Sequence, residues 1–230
     1  MLSTQEDFDA DLLASDLTVR LRALGAAKTA TIRAVRREFS RRLARADASV
    51  VIQVALRILG QPGIASRFVA YELIWHHRGA LRSLRAEELR LLGRGIDSWG
   101  AVDCFAGYLA GPAWRERQVP DTLISRWAAS DDRWWRRAAL VSTVPLNNKT
   151  RGGKGDIART LAVCRLLVGD RDDMVVKALS WALREAAKRD PEAVSRFLVK
   201  HEPALASRVL REVHNKLRTG LKNPRKRRGA

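Results

Sequence analysis

The chain has 230 residues, of which 43 are basic and 25 acidic, so its formal net charge is +18. Arginine supplies 34 of the basic residues, and its planar guanidinium suits two-pronged contact with phosphate. This charge predicts a polyanionic partner, and its spread along the chain favours nucleic acid over a membrane surface. Hydrophobic residues make up 46% of the chain, which is enough for a sizeable core.

No segment approaches the run of about 18 apolar residues that a transmembrane helix needs, and Met1–Asp11 has four acidic residues without an apolar stretch. We therefore expect a cytoplasmic protein with neither signal peptide nor membrane span. Cys104 and Cys164 lack metal-binding spacing, and the adjacent residues His76 and His77 point in different directions on a helix. No disulfide, metal or cofactor is expected, and both cysteines are predicted to be core residues.

Amphipathic spacing predicts helices almost throughout the chain from Phe8 onward, and no run alternates as a strand would. In chain order, the first predicted helix ends near Gly25 and is followed by helices over residues 32–43, 50–59, 68–77, 81–92, 99–110 and 123–129. A helix that includes Trp134 comes next, and the last four cover residues 157–168, 174–189, 192–200 and 204–217. Gly111-Pro112 is expected to stop the 99–110 helix, Ser130–Asp132 to cap the Trp134 helix and Gly220 to end the last one. Pro145–Gly155 is predicted to be a polar, basic loop.

The order of these helices favours a solenoid built from helix pairs. Arg137–Leu140 and Lys177–Ser180 have similar sequences forty residues apart, a period typical of HEAT-like repeats. We expect an all-α, HEAT-like helical-repeat domain over residues 1–217 and a basic, disordered tail over 218–230. A compact bundle of unrelated helices is the alternative.

A tryptophan and a carboxylate share one face of the helix that follows Ser98. Val102, Phe105 and Leu109 form a stripe that must face a core. Trp99 and Asp103 are four residues apart and lie one above the other on a different face. A carboxylate placed off the core side, in so basic a chain, indicates a functional role.

Two later helices present basic faces, and Trp181 interrupts one of them. Such surfaces bind nucleic acid because cations contact phosphates while rings contact sugars or bases. The predicted phosphate contacts on the two helices are Arg133, Arg136, Arg137, Lys177, Arg184 and Lys188, and the basic loop adds Lys149, Arg151 and Lys154. That loop lacks the Ser or Thr and the preceding strand of a nucleotide-binding P-loop. Trp114, Trp127 and Trp134 are expected in the core.

Three separated motifs in this order resemble the AlkD family of DNA alkylation-repair glycosylases. They are Trp99-Gly-Ala-Val-Asp103, Trp127-x-x-Ser130 with Trp134-Trp-Arg-Arg137, and Lys177-Ala-Leu-Ser-Trp181-Ala-Leu-Arg184-Glu185, with weaker matches at Arg36–Ser40 and Ala70–Leu73. The resemblance implies a C-shaped stack of HEAT-like repeats whose basic concave face holds duplex DNA. It also implies Asp103 as the catalytic carboxylate, Trp99 and Trp181 beside the lesion, and Arg137 facing phosphate.

The chemistry of this family suits the residues. N3- or N7-alkylated purines are cationic, and a fixed carboxylate stabilises the oxocarbenium-like sugar that forms as the base leaves. We therefore expect a monomeric glycosylase acting on duplex DNA that carries alkylated bases. One alternative is a non-catalytic HEAT-repeat protein that binds nucleic acid and in which Asp103 only pairs with an arginine. Another is a protein-binding HEAT scaffold whose arginines meet acidic segments of a partner.

Overall fold

The structure is a computed structural model that describes residues 8–61 and 64–224. Within these ranges the chain forms fifteen α-helical segments, with short 3-10 and π segments and no β-strand. The predicted all-α helical-repeat fold is confirmed. Two segments discussed above lie outside the described residues. They are residues 1–7, where no signal peptide is predicted, and residues 225–230 of the predicted tail.

The chain divides into two compact units, with the boundary after Ile96. The N-terminal unit contains α1 (Ala10–Ala23), α2 (Thr29–Arg42), α3 (Ala48–Leu59), α4 (Ile64–His76), α5 (Arg78–Ser83) and α6 (Ala86–Leu92). Helix α3 packs against α1, α4 and α5, and α4 packs against α2. Gly25 has a φ of 54° just after α1, in agreement with its predicted role as a helix stop. The single domain expected over residues 1–217 stays a prediction.

The continuous helix predicted over residues 81–92 is wrong, because the chain extends at Leu84–Arg85 and separates α5 from α6. Leu84 is fully buried, and Arg85 has extended backbone angles (φ −126°, ψ −176°). The Arg85 backbone N–H donates to the carboxylate of Glu88 (2.9 Å), which begins α6 with a capping interaction. The apolar periodicity continues across this break and therefore did not reveal it.

The C-terminal unit contains α7 (Trp99–Phe105), α8 (Gly111–Arg115), α9 (Asp121–Ala128), α10 (Arg133–Ser142), α11 (Val144–Asn147), α12 (Ile157–Leu166), α13 (Asp173–Ala186), α14 (Pro191–His201) and α15 (Ser207–Thr219). Helices α7, α10, α13 and α15 pack side by side in one layer. In a second layer, α9 packs on α10, α12 on α13 and α14 on α15. The starts of α10 and α13 are forty residues apart, which matches the repeat found in the sequence.

Gly111-Pro112 does not stop the helix that begins at Trp99, so this prediction is wrong. A π-helical segment, Ala106–Ala110, connects α7 directly to α8. Pro112 lacks an N–H group and its ring would crowd the carbonyl one turn earlier in an α-helix, so a wider turn is a natural way to accommodate it. A Cβ atom on Gly111 would lie 2.7 Å from the Ser142 carbonyl oxygen, so this glycine permits close packing against the end of α10.

Other predicted boundaries hold or shift slightly. The carboxylate of Asp132 caps α10 by accepting the Trp134 backbone N–H (2.8 Å), and Gly220 is left-handed (φ 73°) after α15. The predicted loop Pro145–Gly155 begins later than expected, because its first residues form the buried turn α11. Trp114 and Trp127 are buried in the core as predicted.

Candidate active site

Asp103 lies on α7, whose orientation is fixed by its apolar stripe. Val102, Phe105 and Leu109 are fully buried, as their spacing predicts. The opposite side of the helix then carries Asp103, whose side chain keeps 21% of its surface exposed. Cys104, expected in the core, is only partly buried, whereas Cys164 is completely buried.

Arg137 holds the carboxylate of Asp103 through a two-pronged ion pair. Its Nε donates to Oδ1 and its Nη2 to Oδ2, both at 2.9 Å. Its Nη1 donates to the carbonyl oxygen of Met174 on α13 (2.6 Å). Asp103, Arg137 and Met174 therefore connect three successive helices of one layer. Only 7% of the Arg137 side chain is exposed, and its contact with phosphate, implied by the family resemblance, stays a prediction.

Opposing influences act on the pKa of the Asp103 carboxyl group. Burial is the largest and raises this pKa above its ordinary value. The Arg137 hydrogen bonds, followed by the charges of Arg137 and Arg151, lower the pKa and offset only part of that rise. The site thus contains a carboxylate that is largely removed from water and held in one orientation, as in many catalytic sites.

Two tryptophans lie on the same helices as these polar groups. Trp99 is the first residue of α7, one turn before Asp103, and 61% of its surface is exposed. Trp181 is partly exposed on α13, two turns after Met174, rather than buried with Val175. The structure therefore brings Asp103 and Arg137 into direct contact and leaves Trp99 exposed and Trp181 partly exposed.

An aromatic cluster supports α7 from the opposite side. The Trp135 ring packs against Trp127 (centroids 4.9 Å apart) and meets Phe105 edge-on (5.9 Å). Trp134, which the sequence places in the core, is instead partly exposed, with the Arg133 guanidinium 4.9 Å from its ring centre. The spacing of two adjacent tryptophans did not show which one faces the core.

Comparison with known proteins identifies the family. The family model described as "DNA alkylation repair enzyme" matches residues 12–217, which is most of the chain. The chain belongs to this family. Membership of this family supports a role in the repair of alkylated DNA. No curated protein matches the chain significantly, and no solved structure does.

Most of the basic residues that were predicted to contact phosphate in this repair protein have acidic partners. The pairs are Arg133–Asp172 (3.4 Å), Arg136–Asp170 (2.7 Å), Lys177–Asp173 (2.6 Å), Arg184–Glu212 (3.8 Å) and Lys188–Glu185 (2.7 Å). Lys177 and Lys188 keep 43% and 48% of their side chains exposed and remain available to a phosphate. Arg136 also donates to two backbone carbonyls, so its guanidinium is committed to the fold.

The basic loop separates into outward and inward side chains. Lys149 and Lys154 are exposed, and neither amino group has a hydrogen bond or ion pair within the described chain. Arg151 turns inward, donates to the Gly107 carbonyl (3.2 Å) and lies 5.3 Å from the Tyr108 ring centre. A Cβ atom on Gly107 would lie only 2.5 Å from Arg151 Nη1, so this glycine makes room for the guanidinium. The spacing of residues in the sequence does not indicate this link between the loop and the π-helical segment.

In the part of the chain that the structure describes, no three His, Cys, Asp or Glu side chains are grouped to hold a metal ion. Within the same ranges, no helix combines the length and the apolar character needed to cross a membrane.

Proposed function

We propose that the protein is a DNA glycosylase that excises cationic N3- and N7-alkylated purines from duplex DNA. The observation that supports this most is the carboxylate of Asp103, fixed by two hydrogen bonds from Arg137 yet still partly open to solvent. Membership of the DNA alkylation repair enzyme family supplies the context, because it names the class of damage.

The proposed reaction needs little acid–base chemistry. Alkylation leaves the purine with a positive charge, so the bond between the base nitrogen and the sugar C1′ is already weak. When that bond breaks, its electron pair goes to the base, which leaves neutral, and the sugar becomes an oxocarbenium ion. The carboxylate of Asp103 stabilises this cation electrostatically and orients the water that adds to C1′ and releases a proton.

The accessible tryptophans provide selectivity for charged lesions. Indole faces attract cations, and each such contact is worth about 0.5–2 kcal/mol. In this proposal Trp99 and Trp181 flank the alkylated base and favour it over neutral purines. The proposed reaction uses no metal or cofactor, and we expect the protein to act as a monomer in the cytoplasm.

A second candidate function is DNA binding without catalysis. The ion pair favours this function, because three nitrogen atoms of Arg137 donate hydrogen bonds to Asp103 and Met174 and thereby link three helices. In this case Asp103 has the structural role of neutralising a buried guanidinium. The protein would then bind alkylated DNA and release no base.

Incubation with a duplex that carries 7-methylguanine at one position separates these functions. We expect free 7-methylguanine, detected by chromatography, and an equal amount of abasic DNA, both formed faster than in the absence of protein. A duplex with unmodified guanine at the same position is the control and should lose no base. Binding to the modified duplex with release only at the spontaneous rate would contradict the glycosylase and favour the binding protein.

A further inference from the structure

Two arginines of the C-terminal unit reach in opposite directions between the basic loop (residues 148–155) and the helical segments that follow Asp103. Arg115, the last residue of α8, donates from Nη1 to the main-chain carbonyl of Arg151. The Arg151 side chain in turn donates to the carbonyl of Gly107 in the π-helical segment (3.2 Å). We refer to these two reciprocal contacts as the arginine clasp.

Arg115 is itself held in place for its part of the arginine clasp. Its Nε donates to the carboxylate of Glu116 (2.8 Å), and only 21% of its side chain is exposed. Gly152 packs against its guanidinium, since a Cβ atom on this glycine would lie 3.2 Å from Arg115 Nη1. The φ of 79° at Gly152, which favours glycine, also turns the chain just after Arg151. Arg115 thus fixes the main chain of Arg151 against the end of α8.

A further arginine holds the basic loop from another helix. Arg189, three residues after α13, donates from Nε to the carbonyl of Asn147 (2.6 Å) and from Nη2 to the carbonyl of Gly153. The main chain of the loop is therefore tied to side chains on both sides of Arg151. Because its main chain is fixed, the Arg151 side chain loses less conformational freedom when it reaches Gly107.

The arginine clasp ends close to the carboxylate of Asp103. Gly107 follows Asp103 by one helical turn, and the Arg151 guanidinium lies 5.3 Å from the ring centre of the next residue, Tyr108. Burial raises the pKa of Asp103, while the charged groups that face it, Arg137 from α10 and Arg151 from the loop, lower this pKa. Movement of the Arg151 guanidinium away from Gly107 would therefore weaken its effect on Asp103.

We propose that Arg115 is a positioning residue for the proposed excision reaction. It fixes the main chain of Arg151, so that the Arg151 guanidinium stays over the π-helical segment and its charge supports the ionised carboxylate of Asp103. Arg115 acts through Arg151, and neither by its own charge on Asp103 nor by contact with DNA. This inference rests on the proposed function, because it takes Asp103 as the catalytic carboxylate.

A double-mutant cycle followed by carboxyl NMR tests this proposal. The pKa of Asp103 is measured in wild type, in Arg115→Gln, in Arg151→Gln and in the protein with both substitutions. We expect Arg115→Gln to raise this pKa by no more than Arg151→Gln does, and to cause no additional rise in the double variant. Single-turnover excision of 7-methylguanine by Arg115→Gln should fall by roughly twofold to fivefold, less than in Arg151→Gln.

Arg126→Gln is the charge-matched control for this cycle. Arg126 is exposed on the next helix, α9, and forms no ion pair within the described residues. Its substitution should leave the pKa of Asp103 unchanged. If Arg115→Gln does not fold, Arg115→Met takes its place with the same expected results, because methionine keeps much of the aliphatic stem and cannot donate to a carbonyl.

Three results would overturn the proposal. The first is an unchanged Asp103 pKa in the folded Arg115 variant, and weaker DNA binding in that case would make Arg115 a phosphate contact. The second is a rise in the double variant equal to the sum of the two single rises, because Arg115 would then act by its own charge. The third is an equal rise in Arg126→Gln, which would reflect net charge alone.

The NMR measurement does not depend on base excision, so the two proposals can fail separately. A pKa rise that follows the expected cycle in a protein that releases no 7-methylguanine would refute the glycosylase and leave the action of Arg115 on Asp103 standing. Excision by wild type together with an unchanged pKa in the Arg115 variant would refute the positioning role alone.

Discussion

Asp103 combines a raised pKa with a bound arginine, and this combination predicts how the reaction depends on pH. The carboxylate must be ionised to stabilise an oxocarbenium ion. Burial raises its pKa, so single-turnover excision should fall on acidification at a higher pH than the ordinary value of about 3.9 would give. Rates measured between about pH 4 and 8, with spontaneous base loss subtracted, test this. A flat profile over this range would contradict it.

The raised pKa of Asp103 also affects the stability of the fold, and here a rise in pH is unfavourable rather than favourable. The folded protein binds the Asp103 proton more tightly than the unfolded chain does. The contribution of this residue to the free energy of unfolding therefore decreases as the pH rises from the ordinary carboxyl pKa through the raised one.

Arg151 is expected to support the site rather than contact phosphate. Its guanidinium bonds the Gly107 carbonyl one turn after Asp103, and its charge lowers the Asp103 pKa. Arg151→Gln should raise the pKa of Asp103 and reduce excision by roughly threefold to tenfold, since such a charge is worth on the order of 1 kcal/mol. Carboxyl NMR and single-turnover rates measure the two effects.

The exposed Lys154 of the same loop provides the control, because Lys154→Gln removes an equal charge from outside this network. It should weaken DNA binding without changing the Asp103 pKa. If both variants changed only DNA affinity, Arg151 would be a phosphate contact, as the sequence indicates.

Sequence spacing located this site only in part. The four-residue interval between Trp99 and Asp103, and the stripe formed by Val102 and Phe105, were sufficient to orient α7. The burial of Arg137 was not predictable, because it depends on Asp103 and Met174, which belong to two other helices. Periodicity describes one helix at a time and does not show what its neighbours present.

At the level of secondary structure, the close packing directly after the π-helical segment predicts that Gly111 cannot be replaced by a larger residue without a loss of stability. A Cβ atom at Gly111 would lie 2.7 Å from the Ser142 carbonyl oxygen and 2.9 Å from that of Ala106, and neither backbone atom moves easily. Gly111→Ala should therefore lower the free energy of unfolding by about 1–3 kcal/mol. Gly169→Ala is the control, because its Cβ meets no atom within 4 Å. Equal denaturant midpoints for the two variants would contradict this packing.

Helix positions were largely predictable from apolar spacing, whereas their interruptions were not. The extended residue Arg85 and the π turn before Pro112 both depend on local hydrogen bonds that periodicity does not record. Residue types that favour helix ends predicted those ends better, since Asp132 caps the start of α10 and Gly220 is left-handed after α15.

For the whole molecule, the net charge of +18 indicated the class of partner but not the residues that meet it. Many arginines are neutralised by carboxylates of neighbouring helices, as Arg136 is by Asp170. The cations left unpaired, such as Lys149, Lys154 and Arg37, become recognisable only in the folded structure.

This charge also predicts how the wild-type protein binds undamaged duplex DNA. Phosphate contacts release counterions, so affinity should fall steeply and linearly on a plot of log K against log salt. Titrations at about 50 and 200 mM salt are sufficient to detect the slope, which should correspond to several phosphate contacts. Binding that does not respond to salt would contradict a phosphate-based interface.

The central claim is that the negative charge of Asp103 drives base excision, and single-turnover excision of 7-methylguanine by Asp103→Asn tests it most directly. Loss of a preorganised electrostatic group costs on the order of 10²–10³-fold in rate. The variant also leaves the buried Arg137 without its counter-charge, so some loss of stability is expected. Asp170→Asn controls for this loss, because it breaks the comparably buried pair with Arg136 on the same helix. We predict that Asp103→Asn falls toward the spontaneous rate while Asp170→Asn stays within a few-fold of wild type. Equal excision by wild type and Asp103→Asn, both above the spontaneous rate, would contradict the account.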